Sequence, residues 1–190
     1  VATWKKVLTE GNQVTKGSMS WYYYSANLSI LNGEYAERWN DDYGVASSIN
    51  SQISSTNDTS SSHWQVSRAS QIVPYDGTIT RFQINIEATG SNGDVDIQLW
   101  KATALTKGIN YTSTEPMTID HLCTITYDYD GNHNPSGVVG SSKNYWGDTT
   151  SFNNTSLTAG DYLFVVLKRT NGTDGSNYHV HSTMCYDITH

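Results

Sequence analysis

Charge is scarce in this sequence. Lys, Arg, Asp and Glu together make up 15% of its 190 residues, and the formal net charge is -7. No basic run is longer than two residues, as at Lys5-Lys6. A nucleic-acid partner needs clustered Lys and Arg, so that class of function is excluded from the expectation. Long apolar runs are missing too. No stretch approaches the roughly 18 residues of a membrane-spanning helix, and no membrane association is expected. There are 2 cysteines, Cys123 and Cys185, far apart in sequence. They form neither a CxxC pair nor a disulfide framework, and leave open one bridge or two buried thiols. Glycosylation sequons at Asn27, Asn57, Asn110, Asn153, Asn154 and Asn171 are about what a chain so rich in Asn, Ser and Thr contains by chance. Enzyme signatures are lacking as well: no G-x-S-x-G, P-loop, G-x-G-x-x-G or H-E-x-x-H occurs. The chain is expected not to be an enzyme.

What is present is β-forming. Thr, Tyr, Ile and Val are plentiful, long helix formers are few, and Tyr 13 and Trp 6 give an aromatic-rich chain. From Trp64 onward short alternating runs recur between turn signals. Phe82, Ile84, Ile86 and Ala88 share one face of a strand over 78–88, with Arg81, Gln83, Asn85 and Glu87 on the other. Val95, Ile97 and Leu99 point inward in the next strand, then Cys123, Ile125 and Tyr127 in a third. Weaker strands are expected over 138–146 and 149–157. Pro74-Tyr75-Asp76-Gly77 and Leu157-Thr158-Ala159-Gly160-Asp161 read as turns. The run Tyr162–Arg169 is apolar on both faces between Leu163 and Leu167, which predicts a strand central to a sandwich or to an oligomer contact. In the last strand Tyr178, Val180, Ser182, Met184, Tyr186 and Ile188 alternate with His179, His181, Thr183, Cys185 and Asp187.

About eight short strands without a long helix predict an all-β, antiparallel β-sandwich. A jelly roll fits the strand count best, with an immunoglobulin-like sandwich as the alternative. Residues 1–63 are expected to be an extended N-terminal arm for attachment, ending in a Ser-rich linker over 46–62, and residues 64–190 the sandwich. Within the arm, 18–31 reads as extended structure turning near 25–27. Residues 33–43 read as a short helix, because Tyr35, Trp39 and Tyr43 recur at helical spacing.

Four groups of residues are candidates for chemistry. His179 and His181 project from the same face of one strand. Two imidazoles are too few for a metal site, and no Glu follows to complete a cupin-type set. Three copies around a threefold axis would supply six nitrogens to a structural metal. Asp128, Asp130 and Asn132 place oxygen ligands at alternate positions, as calcium loops do, although His133 and Val139 stand where an EF-hand needs Gly and Glu. Trp21, Tyr22, Tyr23 and Tyr24 form the densest aromatic run. It reads as packing in a core or an interface, with sugar stacking as the alternative. Trp4 and Trp39 join them as candidate partner contacts.

The opening Thr3-Trp4-Lys5-Lys6-Val7-Leu8-Thr9-Glu10-Gly11 resembles the start of many structural proteins of marine tailed phages. Val73-Pro74-Tyr75-Asp76-Gly77-Thr78-Ile79, Gly93-Asp94-Val95-Asp96-Ile97-Gln98-Leu99 and Leu157-Thr158-Ala159-Gly160-Asp161-Tyr162 resemble a family of phage virion β-sandwich domains. The last piece is also similar to the late strand entry of tumour-necrosis-factor-like jelly rolls, which form trimers. The resemblance implies an extracellular role on the virion surface, as a capsid decoration protein or a head or tail fibre subunit. Such a subunit would be trimeric, would contact other virion proteins, and would stabilise the particle or attach it to a host surface glycan. In that setting Trp4, Trp21, Tyr22, Tyr23, Tyr24 and Trp39 would pack against neighbours. One departure is that His-x-His repeats along the shafts of the fibre families, whereas here it occurs once. A carbohydrate-binding module of lectin type is the alternative function.

Overall fold

Alternating apolar and polar side chains generate strands whose apolar faces must be covered, and here two sheets cover one another. The computed structural model describes residues 15–24, 35–37, 48–49, 70–89, 94–103, 119–127, 142–169 and 177–189. These residues form β1 (Thr15–Tyr24), β2 (Tyr35–Glu37), β3 (Ser48–Ile49), β4 (Gln71–Ile72), β5 (Gly77–Thr89) and β6 (Val95–Ala102). They continue with β7 (Ile119–Tyr127), β8 (Ser142–Thr149), β9 (Ser156–Leu157), β10 (Tyr162–Arg169) and β11 (Asn177–Ile188). Among the described residues there is no helix.

The first sheet runs β1-β11-β5-β8, with β9 added to β5; the second runs β3-β2-β10-β6-β7, with β4 added to β10. Every pairing is antiparallel. The sheets share one core, in which Met19, Trp21, Phe82, Ile84, Ile86, Val180 and Met184 of the first meet Val95, Ile97, Leu99, Leu163, Val165 and Leu167 of the second. This is a β-sandwich arrangement, and the alternation read from the sequence for β5, β6 and β11 is the one that fills it. Each large side chain buried in this way contributes about 1.5–3 kcal/mol.

The pairings are nested. Consecutive strands β6 and β7 pair at the centre of the chain order. Outward from them, β5 pairs with β8, β2 with β10, and β1 with β11.

The segment 1–63, expected to be an attachment arm, supplies β1, β2 and β3, which hydrogen-bond into both sheets. β1 matches β11 over ten register positions, from Thr15 opposite Ile188 to Tyr24 opposite His179. Its inward residues, Met19 and Trp21, supply the reason, since both are buried in the shared core. The sandwich therefore draws on both sides of the boundary expected at 64. The helix expected over 33–43 is corrected at Tyr35–Glu37, which pair with Lys168, Leu167 and Val166 of β10. Pairing to a sheet edge wins there over helical ring spacing; Trp39 and Tyr43 lie outside the described residues. Ser48–Ile49, within the expected linker, pairs with β2. The strand expected over 149–157 is reduced to β9, and the one over 138–146 corresponds to β8, starting at Ser142 and reaching Thr149.

β10 is apolar on both faces because both faces are buried. Leu163, Val165 and Leu167 join the shared core. Phe164 and Val166 join a second cluster on the opposite side with Trp100, Ala102 and Ile119. A β-bulge connects the two environments. Leu99 lies opposite Cys123 and Trp100 opposite His121, which leaves Leu122 as the extra residue of β7. Leu122 and Cys123 are then both buried in the shared core, while Ile119 and His121 turn to the other face beside Trp100.

The turn before β10 closes as the sequence suggests. Asp161 N–H donates to Thr158 O at 2.9 Å, and Gly160 stands at φ 97°, the geometry of a type II turn. The buried Asp161 carboxylate accepts from Thr158 N–H at 2.9 Å. Asp76 Oδ1 accepts from Ala159 N–H at 2.7 Å, which ties this turn to the one before β5.

Candidate functional site: the outer face of the first sheet

Four strands, β1, β11, β5 and β8, lie side by side in the first sheet, and the residues between their core positions point to the other face. Tyr22, next to buried Trp21, points out from β1. His181, between buried Val180 and Ser182, points out from β11. Asn85, between buried Ile84 and Ile86, points out from β5. Trp146 points out from β8, where its neighbour Tyr145 packs on the core.

Register brings these four into one row. Tyr22 is opposite His181, His181 opposite Asn85, and Asn85 opposite Trp146. With strands about 4.8 Å apart, the row spans about 14 Å between the outer backbones. Its ends are large exposed rings, Tyr22 at 45% and Trp146 at 57%. Tyr22 and His181 meet edge to face, with ring centroids 6.3 Å apart. The adjoining row is Ser20, Thr183, Gln83 and Asp148. There the Ser20 and Thr183 hydroxyls share a hydrogen bond of 3.0 Å. Asp148 is engaged by Arg81, whose Nε donates to Oδ2 at 2.9 Å while Nη2 lies 2.7 Å away. The row of four itself contains no carboxylate, ammonium or guanidinium.

The expected site residues divide accordingly. His179 and His181 do lie on one face, the outer one, with His179 half-buried and His181 exposed. Among the described residues these two imidazoles have no third metal ligand beside them, and an axial metal would draw its further ligands from neighbouring chains. Among the described residues, no group of three or more His, Cys, Asp or Glu is placed to hold a metal ion. Trp21 turns inward at 6% exposure, so within its own chain it is a core residue. Tyr22 points outward, and the backbones of Tyr23 and Tyr24 continue the pairing with Val180 and His179. The aromatic run is thus divided between two faces. Trp4, Trp39, Asp128, Asp130 and Asn132 lie outside the described residues. Both cysteines are free. Cys123 faces the core from the second sheet, whereas Cys185 lies on the outer face of the first, opposite Arg81.

Two further groups of ionisable side chains lie elsewhere. Buried Lys101 donates to Ser156 O at 3.0 Å and sits 3.7 Å from Asp120 and 4.0 Å from Asp161. This cluster ties the ends of β6, β7 and β9 to the turn before β10. His121, on the second sheet, stacks edge-on against Trp100 at 4.9 Å. Asn153 Nδ2 donates to His121 Nδ1 at 3.2 Å, which makes Nδ1 the acceptor, so Nε2–H donates to Thr124 Oγ1 at 2.8 Å. Burial holds the His121 pKa below its ordinary value; the Cys123 backbone and Asp96 oppose the shift more weakly. Burial also pushes the Cys123 thiol up to about 12. A thiol held protonated in this way is a packing group rather than a nucleophile.

Asn85 and Trp146 were not singled out from the sequence. Their outward direction is readable from alternation, but their alignment with Tyr22 and His181 is a matter of register between strands distant in the chain. Compared with known families and curated proteins, the chain matches no family model and no curated sequence.

Proposed function

We propose that this chain is a non-enzymatic structural protein of a tailed-phage virion, displayed on the particle surface as a capsid decoration protein or a head or tail fibre subunit. The sandwich is read as a jelly roll of the tumour-necrosis-factor-like kind, assembled as a homo-trimer in contact with other virion proteins and exposed outside the cell. The observation that carries this reading is the nested strand order. Taking the eight strands β1, β2, β5, β6, β7, β8, β10 and β11 in sequence, first pairs with last, second with seventh, third with sixth and fourth with fifth. An antiparallel ribbon rolled once gives that order, and jelly rolls of this kind recur in viral capsid domains. The sequence similarities at 73–79, 93–99 and 157–162 to phage virion sandwiches support the same reading. Low charge and a net charge of -7 support a role away from nucleic acid.

Light scattering on the purified protein tests the assembly. The expected mass is three times the 21.1 kDa of one chain. Reconstruction of particles carrying the protein is expected to place it on the outer surface. A strict monomer at micromolar concentration that is absent from purified particles overturns the proposal.

A further inference from the structure

We infer that the row Tyr22–His181–Asn85–Trp146 on the outer face of the first sheet is a binding platform for a linear, neutral glycan. This rests on the display reading above for its setting, but not for its chemistry.

The argument is one of complementarity. The exposed rings of Tyr22 and Trp146 offer apolar surface to the C–H side of a sugar ring. Between them, the Asn85 amide and the His181 imidazole offer donors and acceptors to its hydroxyls. The separation of about 14 Å leaves room for several sugar units end to end. Charge decides the class of glycan. The row bears no fixed charge, and the nearby guanidinium of Arg81 is already engaged by Asp148 at 2.7 Å, so nothing here selects a carboxylate or sulfate. The same features argue against a protein partner. The centre of a protein interface is apolar and packed, whereas this row and the next present Ser20, Thr183, Gln83, Asp148, Asn85 and His181 between the Tyr22 and Trp146 rings. Rigidity favours binding at the centre of the row. β11 and β5, which carry His181 and Asn85, are hydrogen-bonded on both sides, so presenting these two polar groups costs little ordering on association.

The test uses the full-length protein with cellohexaose, maltohexaose, chitohexaose and galactohexaose as neutral probes and polygalacturonate as the acidic control. At least one neutral hexasaccharide is expected to bind and to change tryptophan fluorescence. Trp146→Ala and Tyr22→Ala are each expected to weaken that binding about tenfold, the scale of one lost aromatic contact. Tyr75→Ala, at a ring 59% exposed outside this row, is expected to leave affinity unchanged. Unchanged melting temperatures will show that the variants remain folded. Silence of all four neutral probes, preference for polygalacturonate, or full affinity in Trp146→Ala overturns the inference. So does protection of Trp146 from hydroxyl radicals in the assembled protein without sugar, which would mean that another copy covers the face. A monomer absent from purified particles that binds the glycan through Trp146 would remove the virion reading and keep this one; a particle-bound trimer that binds none would do the reverse.

Discussion

Gly160 and Gly77 each adjoin an aspartate in a turn, and they are glycines for different reasons. Gly160 sits at φ 97°, where an L side chain is strained by about 1–2 kcal/mol. Gly77 is constrained by space. A Cβ there would come within 2.5 Å of Asp187 O and 2.9 Å of the Tyr186 ring, so β11 would have to move. Positive φ is therefore the explanation at Gly160 alone among the described glycines, and the Asp76-Gly77 pair does not depend on it. Urea denaturation should show Gly160→Ala losing about 1–2 kcal/mol and Gly77→Ala about 1–3 kcal/mol from overpacking. Asn at 160 should be milder than Ala, and Asn at 77 worse.

Two titratable groups near the β7 bulge, buried Cys123 and half-buried His121, set opposite limits on stability. Cys123 stays protonated in the fold up to about 12 but ionises near 9.0 when exposed, so the unfolded chain binds fewer protons between these values. Stability must then fall as pH rises from 9.0 toward 12. Cys123→Ala should flatten that loss, at the expense of a small cavity. His121 behaves the other way. Its folded pKa lies below 6.5, so the unfolded chain binds more protons below 6.5, and stability falls as pH falls through that region. Asn153 opposes the same protonation, because its amide already donates to Nδ1. Melting temperatures across pH should show a shallower acid limb for His121→Gln than for the parent protein.

At the scale of elements, β10 and β7 show what was legible in the sequence and what was not. The two-faced apolar run from Leu163 to Leu167 predicts a strand covered on both sides, and both sides are buried. Phe164→Ala and Leu163→Ala should therefore both be costly, about 3–5 and 2–5 kcal/mol respectively. A one-sided strand would leave the first nearly neutral, and denaturant titration of the pair distinguishes the cases. β7 was only partly legible. Cys123, Ile125 and Tyr127 follow alternation, but Leu122 does not, since the extra residue depends on its match to Leu99 and Trp100 across the sheet. Tyr35 was misread for a related reason. Its spacing to Trp39 and Tyr43 is local, whereas its partner Lys168 is far along the chain. The candidate site shows the same limit. Alternation sets the direction of Asn85, Trp146 and His181 one strand at a time, but no local pattern aligns them.

For the whole molecule, the position of β1 has the largest consequence. A segment that reads as an attachment arm is half of the pairing that holds β11, and it delivers Trp21 to the core at 6% exposure. Truncation of residues 1–24 should thus not yield an intact sandwich freed from its arm. Loss of a buried Trp alone costs about 3–5 kcal/mol, a large share of the 5–15 kcal/mol that stabilises a typical domain. Circular dichroism of the truncated chain should show loss of a cooperative melt, whereas removal of an independent arm would leave the melt unchanged.

The pairing of β1 with β11 also governs how the protein bears a mechanical load. Thr15 lies opposite Ile188, so the two outer ends of this strand pair sit together at one edge of the sheet. Tension that draws those ends apart opens the ladder one rung at a time, in peeling rather than in shear, and yields at low force. A load carried through one end alone leaves the ladder closed. A displayed subunit with this geometry withstands drag if it is tethered at a single terminus, and unzips if it is stretched between both.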